Sequence, residues 1–148
     1  MRTRIAMLIA LPLTPFALFA SPPGSVAQLE SDLNMAAMAA GTAEYKAKLQ
    51  TEENDYSIQV LGHTSNDDFG YVDDAYVKSY TEGKKACDDW VVGKSAKVRA
   101  AAKVYCAMWK STLRVRAEAH ARSEDFASTP AGAQYVRAQA ELEAAAGE

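Results

Sequence analysis

The chain has 148 residues, of which 16 are Lys or Arg and 19 are Asp or Glu, for a formal charge of −3, and 49% are hydrophobic. A mildly acidic chain without a basic cluster argues against nucleic acid as a partner, because phosphate neutralisation needs grouped cations. The length suits a single domain with a modest core, thinned by many alanines that each bury little area.

Met1-Arg2-Thr3-Arg4 is a basic start, and Ile5 to Ala20 is an uncharged apolar run broken by Pro12 and Pro15. This pattern predicts a secretory signal over residues 1–27 and a single helical domain over 28–148. Ser25-Val26-Ala27 places small residues where a signal peptidase reads, so cleavage is expected before Gln28, with the bond after Ala20 as second choice. The apolar run is short for a membrane span of about 20 residues, so no stable membrane anchor is expected once the signal is removed. The expected location is periplasmic or secreted, and loss of Arg2 and Arg4 takes the formal charge to −5.

Ser25 and Gln28 have capping-box spacing, and Leu29, Leu33, Ala36, Ala40, Ala43 and Ala47 share a narrow face, which predicts a helix from about Gln28 to Gln50. Met35, Met38, Tyr45 and Leu49 form a second apolar strip on its far side. Burial from two directions within the monomer is the preferred account of that strip, with a partner surface as the alternative. Thr51-Glu52-Glu53-Asn54-Asp55 is expected to end the helix. Tyr56 to Val60 alternates apolar with polar residues as an extended segment would, but one short strand has nothing to pair with, so a loop, an exposed edge and a helical turn all stay open. Gly62 to Asp68 is rich in turn formers.

Phe69, Val72, Tyr76, Tyr80, Gly83, Cys87, Trp90 and Val91 fall within an arc about 100° wide, with Asp74, Lys78, Glu82, Lys85 and Asp89 opposite. Gly93 suits a helix stop and Ser95 an N-cap, after which Val98, Ala101, Ala102, Tyr105, Trp109, Thr112 and Leu113 resume the period. The two helices should fold back antiparallel, with Gly83 facing Trp109 and a Cys87–Cys106 disulfide clamping the seam. The disulfide register and the turn register differ by about 7 Å along the axis, so either the loop is longer than its punctuation or the helices cross at an angle. Thr129-Pro130 opens a last helix to about Ala146, in which Tyr135, Ala138 and Leu142 share a face and Arg137 and Glu141 form a surface pair. With few large apolar residues, this helix is expected to be the least firmly held.

Chemistry-bearing motifs are sparse. The cysteines lie 19 apart with no histidine at ligand spacing, which argues against zinc, and the acid-rich segment from Asn66 lacks the twelfth-position Glu of a calcium loop. No metal or cofactor is expected, although His120 with Met35 or Met38 could be imagined holding haem. The adjacent aspartates at 67/68, 73/74 and 88/89 read as solvated faces, with Lys84/Asp88 and Lys85/Asp89 at surface-pair spacing. The one candidate polar cluster is Asp73, Arg116 and His120, with Asp68 in reserve. Arg116 and His120 continue the apolar stripe past Leu113, so both registers bring a carboxylate opposite them, most simply as a structural salt bridge. The sequence therefore predicts an all-α bundle of about four helices built on a disulfide-clamped hairpin. Its expected role is non-enzymatic, a binding or accessory protein acting on another envelope or secreted protein as an inhibitor, immunity or assembly factor would. A small-molecule or haem carrier with a pocket between helices is the alternative.

Overall fold

A computed structural model describes residues 23–61 and 68–148. The signal-like run and the segment from Gly62 to Asp67 lie outside the described residues. Four helices account for most of what is described: α1 (Val26–Leu61), α2 (Gly70–Trp90), α3 (Ala96–Ala121) and α4 (Pro130–Ala146), with a 3-10 turn at Phe126–Ser128. No strand occurs among the described residues.

Three of the four helix starts, those of α1, α3 and α4, follow their side chains. The Ser25 hydroxyl accepts from the Gln28 amide at 3.1 Å, that of Ser95 from Val98 at 3.3 Å and that of Thr129 from Gly132 at 2.9 Å. Each satisfies one of the amides that a first helical turn leaves without a backbone partner. Between α2 and α3 the chain turns through Gly93, whose φ of 73° is the left-handed conformation that side chains disfavour.

The Cys87–Cys106 disulfide is present, with Cα atoms 6.3 Å apart. Trp109 covers Gly83, where a Cβ would lie 2.1 Å from the indole Cη2. These two cross-links share one register, while the turn stays where Gly93 and Ser95 place it, between the end of α2 at Trp90 and the start of α3 at Ala96. Away from the cross-links α2 and α3 touch little, because α1 packs against both of them. Leu29, Leu33, Ala36 and Ala40 of α1 are buried there with Tyr76 of α2 and Ala102, Trp109 and Leu113 of α3. Small α1 residues permit that close approach, and the Ala40 amide donates to the buried Ser79 hydroxyl at 3.1 Å.

On the other side of α3, α4 buries Tyr135 and Leu142, and the hydroxyls of Tyr105 and Tyr135 are hydrogen-bonded to each other. The thinly held helix expected from composition thus has two large anchors. At the far end, the indole Nε1 of Trp90 donates to the Ser25 carbonyl at 2.9 Å and the Val26 amide donates to Glu148 Oε2 at 3.0 Å.

Two sequence expectations are corrected in α1. The helix does not end near Gln50 but runs on to Leu61, 36 residues in all, so Tyr56–Val60 takes the helical one of the conformations its sequence left open. The polar run that was to end it contains neither Gly nor Pro, and Thr51 folds its hydroxyl back onto the Ala47 carbonyl at 2.9 Å without breaking the helix. Nor is the second strip covered from two sides. Met35 and Met38 are 66% and 64% exposed, and Tyr45 and Leu49 are about half exposed.

Candidate functional site

Past Leu113 the face of α3 turns from apolar to basic. Arg116, Ala117 and His120 there meet Asn34, Ala37, Met38, Gly41 and Thr42 of α1 across a cleft of about 170 Å³. Arg116 is fixed on several sides. Its Nη1 donates to Asn34 Oδ1 at 2.6 Å, and its guanidinium lies 4.5 Å from the Phe126 ring centre and 4.4 Å from that of Tyr135. Such stacking suits a planar, weakly hydrated cation. Its Nε is buried and has no hydrogen-bond partner among the described residues. His120 is exposed and lies close to Gly41, where a Cβ would come within 3.2 Å of the imidazole Cδ2. The absent side chain lets the ring lie close against α1.

Burial pushes the hydroxyl of Tyr105 far above the ordinary tyrosine range, reinforced by its contact with Tyr135. Tyr135 is raised by burial too, against the lowering effects of the Tyr105 hydrogen bond and the nearby Arg116 charge. Arg116 therefore rests between the Phe126 ring and the neutral phenol of Tyr135.

The expected cluster is only partly assembled. Arg116 and His120 share the cleft, but Asp73 is not with them. It lines a separate groove with Glu44, Asp68 and Arg114, between the start of α2 and the middle of α1. The physical reason is the position of α1. The open end of the hairpin does not close on itself, because α1 fills it and supplies the Arg116 partner, Asn34. Asp68, the reserve residue, caps its own loop by accepting from the Gly70 amide at 3.0 Å. Arg114 is the basic residue on the α2 side, 4.8 Å above the Tyr76 ring, whose hydroxyl donates to Glu44 Oε1 at 2.8 Å. Sequence reasoning did not single out Arg114 or Asn34, since each is polar and lies off the apolar stripes.

Met38 belongs both to the cleft and to the exposed strip of α1, and with Met35 it also lines the adjoining surface formed by Ala27, Glu30, Ser31 and Asn34. The accessible floor therefore combines flexible thioethers with a fixed cation and a titratable ring. Among the described residues no three His, Cys, Asp or Glu side chains gather as a metal site would require. No helix of the described residues is long and apolar enough to cross a membrane. No family model, curated protein or solved structure matches the chain.

Proposed function

We propose that the protein is a non-enzymatic binding protein of a non-cytoplasmic compartment, and that it captures a short segment of another envelope or secreted protein at the α1/α3 cleft. The disulfide supports the compartment, since such bonds persist where thiols are not kept reduced. The observation that carries the binding reading is the arrangement of Arg116 and His120 beside the exposed Met38. A segment presenting a carboxylate next to an apolar side chain suits this floor: the carboxylate takes the cationic side, and the thioethers adapt to the apolar group.

The cleft residues favour binding over catalysis. His120 faces no carboxylate within the cleft to orient it as a general base, and the lining offers no carboxylate of its own. Haem or a similar cofactor does not suit this cleft by size, because pockets for such molecules run to about 300–1,000 Å³ and this cleft holds about 170 Å³.

A displayed library of random peptides tests the reading. Panning on the purified protein should enrich sequences with Asp or Glu beside Leu, Met or Phe, and binding should fall at least tenfold in His120→Ala and in Met38→Ser. Both substitutions lie at exposed positions and should leave thermal unfolding unchanged. Lack of enrichment, or enriched peptides that bind both variants as well as the parent, would overturn the assignment of this cleft.

A further inference from the structure

Charge is unevenly spread along the chain. Between Trp90 and Ser123 there are eight Lys or Arg and one acidic residue, Glu118, although the whole chain carries a formal charge of −3. These cations form no run in the sequence, and it is α3 that gathers them. At 100° per residue Arg99, Lys103, Lys110 and Arg114 fall within an arc of about 60°, and at the rise of a helix the line they form is about 22 Å long. All four are exposed, as are Lys97, Ala100, Val104, Ala107 and Ser111 on the rest of the same outward side. Where charges act over about 10 Å, such a local excess and not the net charge decides what a surface attracts.

Little among the described residues neutralises this side. Lys97, Lys103 and Lys110 belong to none of the ion pairs there, which lie within α1, α2 and α4 and around Arg122. Arg99 donates from Nη1 to the Lys94 carbonyl at 2.6 Å, a neutral partner. Arg114, at the far end, lies 4.8 Å above the Tyr76 ring and shares a groove with Glu44, Asp68 and Asp73. On α2, by contrast, Lys78, Lys84 and Lys85 are each paired with an acid one turn on. The outward side of α3 also bears no exposed aromatic ring, since Tyr105 and Trp109 are buried. Base stacking on single strands and the anchors of protein interfaces both use such rings. Lysines on flexible stems, with alanines and a 53% exposed Val104 beside them, suit a fluid layer of headgroups, which attracts charge without fixed donors.

We propose that the outward side of α3, from Lys97 to Arg114, docks on a bilayer surface rich in anionic phospholipid. Lys103 and Lys110 hold its centre, and Lys97 and Arg99 its start. The contact is peripheral and reversible, made by charge at the headgroups, with no segment entering the hydrocarbon. The disulfide supports a compartment in which bilayer surfaces, and not nucleic acid, are the abundant polyanions. Arg116 and His120 lie about 90–130° away around α3 from the middle of the line, so docking does not use them and is independent of the cleft reading.

Sedimentation of the oxidised chain at about 0.1 M salt with vesicles of roughly one third phosphatidylglycerol in phosphatidylcholine should carry it into the pellet. Vesicles of phosphatidylcholine alone should leave it in solution, and about 0.5 M sodium chloride should release the bound protein. Lys103→Glu with Lys110→Glu should weaken binding at least tenfold. Lys78→Glu with Lys85→Glu changes the net charge by the same amount on the paired side of α2, and should weaken it far less. Every substituted side chain is exposed, so circular dichroism should match the parent; Lys103→Gln with Lys110→Gln, a gentler change, should still weaken binding severalfold. No binding to the anionic vesicles, binding that survives the salt, or an equal loss from the two charge reversals would overturn the proposal. Tighter binding of duplex DNA or of polyglutamate than of the vesicles, under the same conditions, would overturn it in favour of a nucleic acid or an acidic protein.

Discussion

Gly83 shows how one absent side chain can set the spacing of two helices. The Trp109 ring occupies the space that a Cβ would need, with Cη2 at 2.1 Å and Cζ3 at 2.3 Å, and Trp109 is among the most deeply buried side chains. A rigid indole held on all sides cannot yield as the end of a flexible side chain could. We therefore expect Gly83→Ala to destabilise the protein despite the gain in helix propensity of nearly 1 kcal/mol that alanine normally brings, and Gly83→Leu to cost upwards of 1–3 kcal/mol. Denaturant titration followed through tryptophan fluorescence measures both. A neutral Gly83→Ala would mean that the indole moves aside freely.

The buried phenols lead to a pH dependence. Burial, aided by Glu44 at Tyr76 and by Tyr135 at Tyr105, raises the pKa of Tyr76 and Tyr105 above the ordinary value of 10, and burial raises Tyr135. In the unfolded chain these groups ionise near 10. Their contribution is thus fully present below pH 10 and lost as pH rises from there toward the folded values. Absorbance at 295 nm should show Tyr76, Tyr105 and Tyr135 ionising only together with loss of helical circular dichroism. Phe at position 105 should move that alkaline transition to higher pH relative to its stability at neutral pH. Normal titration of all the tyrosines in a folded protein would contradict this burial.

Among the elements, α1 departs most from what its sequence suggests and explains most of the differences. Its apolar face of Leu29, Leu33, Ala36 and Ala40 is legible as a core stripe, and so are the stripes of α2 and α3, the turn between them, the disulfide and the Gly83–Trp109 contact. A stripe states that a face is buried, however, and not which helix buries it. Two amphipathic helices adjacent in sequence suggest each other as partners, so the basic pair Arg116 and His120 seemed to face α2 and Asp73. With α1 inserted, the same pair faces Asn34, Met38 and Gly41. Half of the site was visible as an arginine and a histidine on an apolar stripe. The other half lay on a helix some eighty residues away, with no periodicity to connect them.

The start of α1 also bears on processing. The expected cut before Gln28 falls within its first turn, after Val26, which has no exposed surface, and after Ser25, whose hydroxyl caps the helix and whose carbonyl receives the Trp90 indole. Lys94 reaches one residue further out, donating to the Gly24 carbonyl at 2.6 Å. Removal of these residues would unmake the cap and expose an apolar socket, a loss of about 2–4 kcal/mol from burial and capping together. If the chain is exported and cut as its sequence predicts, we expect the cut to spare Ser25 and to follow Ala20, the second of the two expected sites. Intact-mass analysis decides it: a mature chain that starts at Gln28 and unfolds with unaltered stability would show these contacts to be dispensable.

At the scale of the molecule, the helices form a row, α2 against α1, α1 against α3 and α3 against α4, with one covalent bond between α2 and α3, which otherwise touch little. Closing a loop of 19 residues should contribute roughly 3 kcal/mol through the unfolded chain. The Cys87→Ala, Cys106→Ala double variant should fold to the same helices and unfold at lower denaturant by that amount. A much smaller loss would mean that the α1 contacts alone hold α2 against α3.

The hydrogen bond from the Val26 amide to Glu148 has a mechanical side. It brings the two ends of the described domain together at 3.0 Å, so a load applied between them does not stretch the row of helices along its length. It peels α1 and α4 away at a common corner, where contacts give way one after another, and such a geometry yields at low force. Trp90 and Lys94 sit at that corner through their bonds to Ser25 and Gly24, and would bear the load next. Beyond it the disulfide sets a limit, because the segment between Cys87 and Cys106 cannot pay out while the bond is intact. In an optical trap the oxidised chain should come to full extension about 60 Å short of the reduced one, as a tether with a built-in stop.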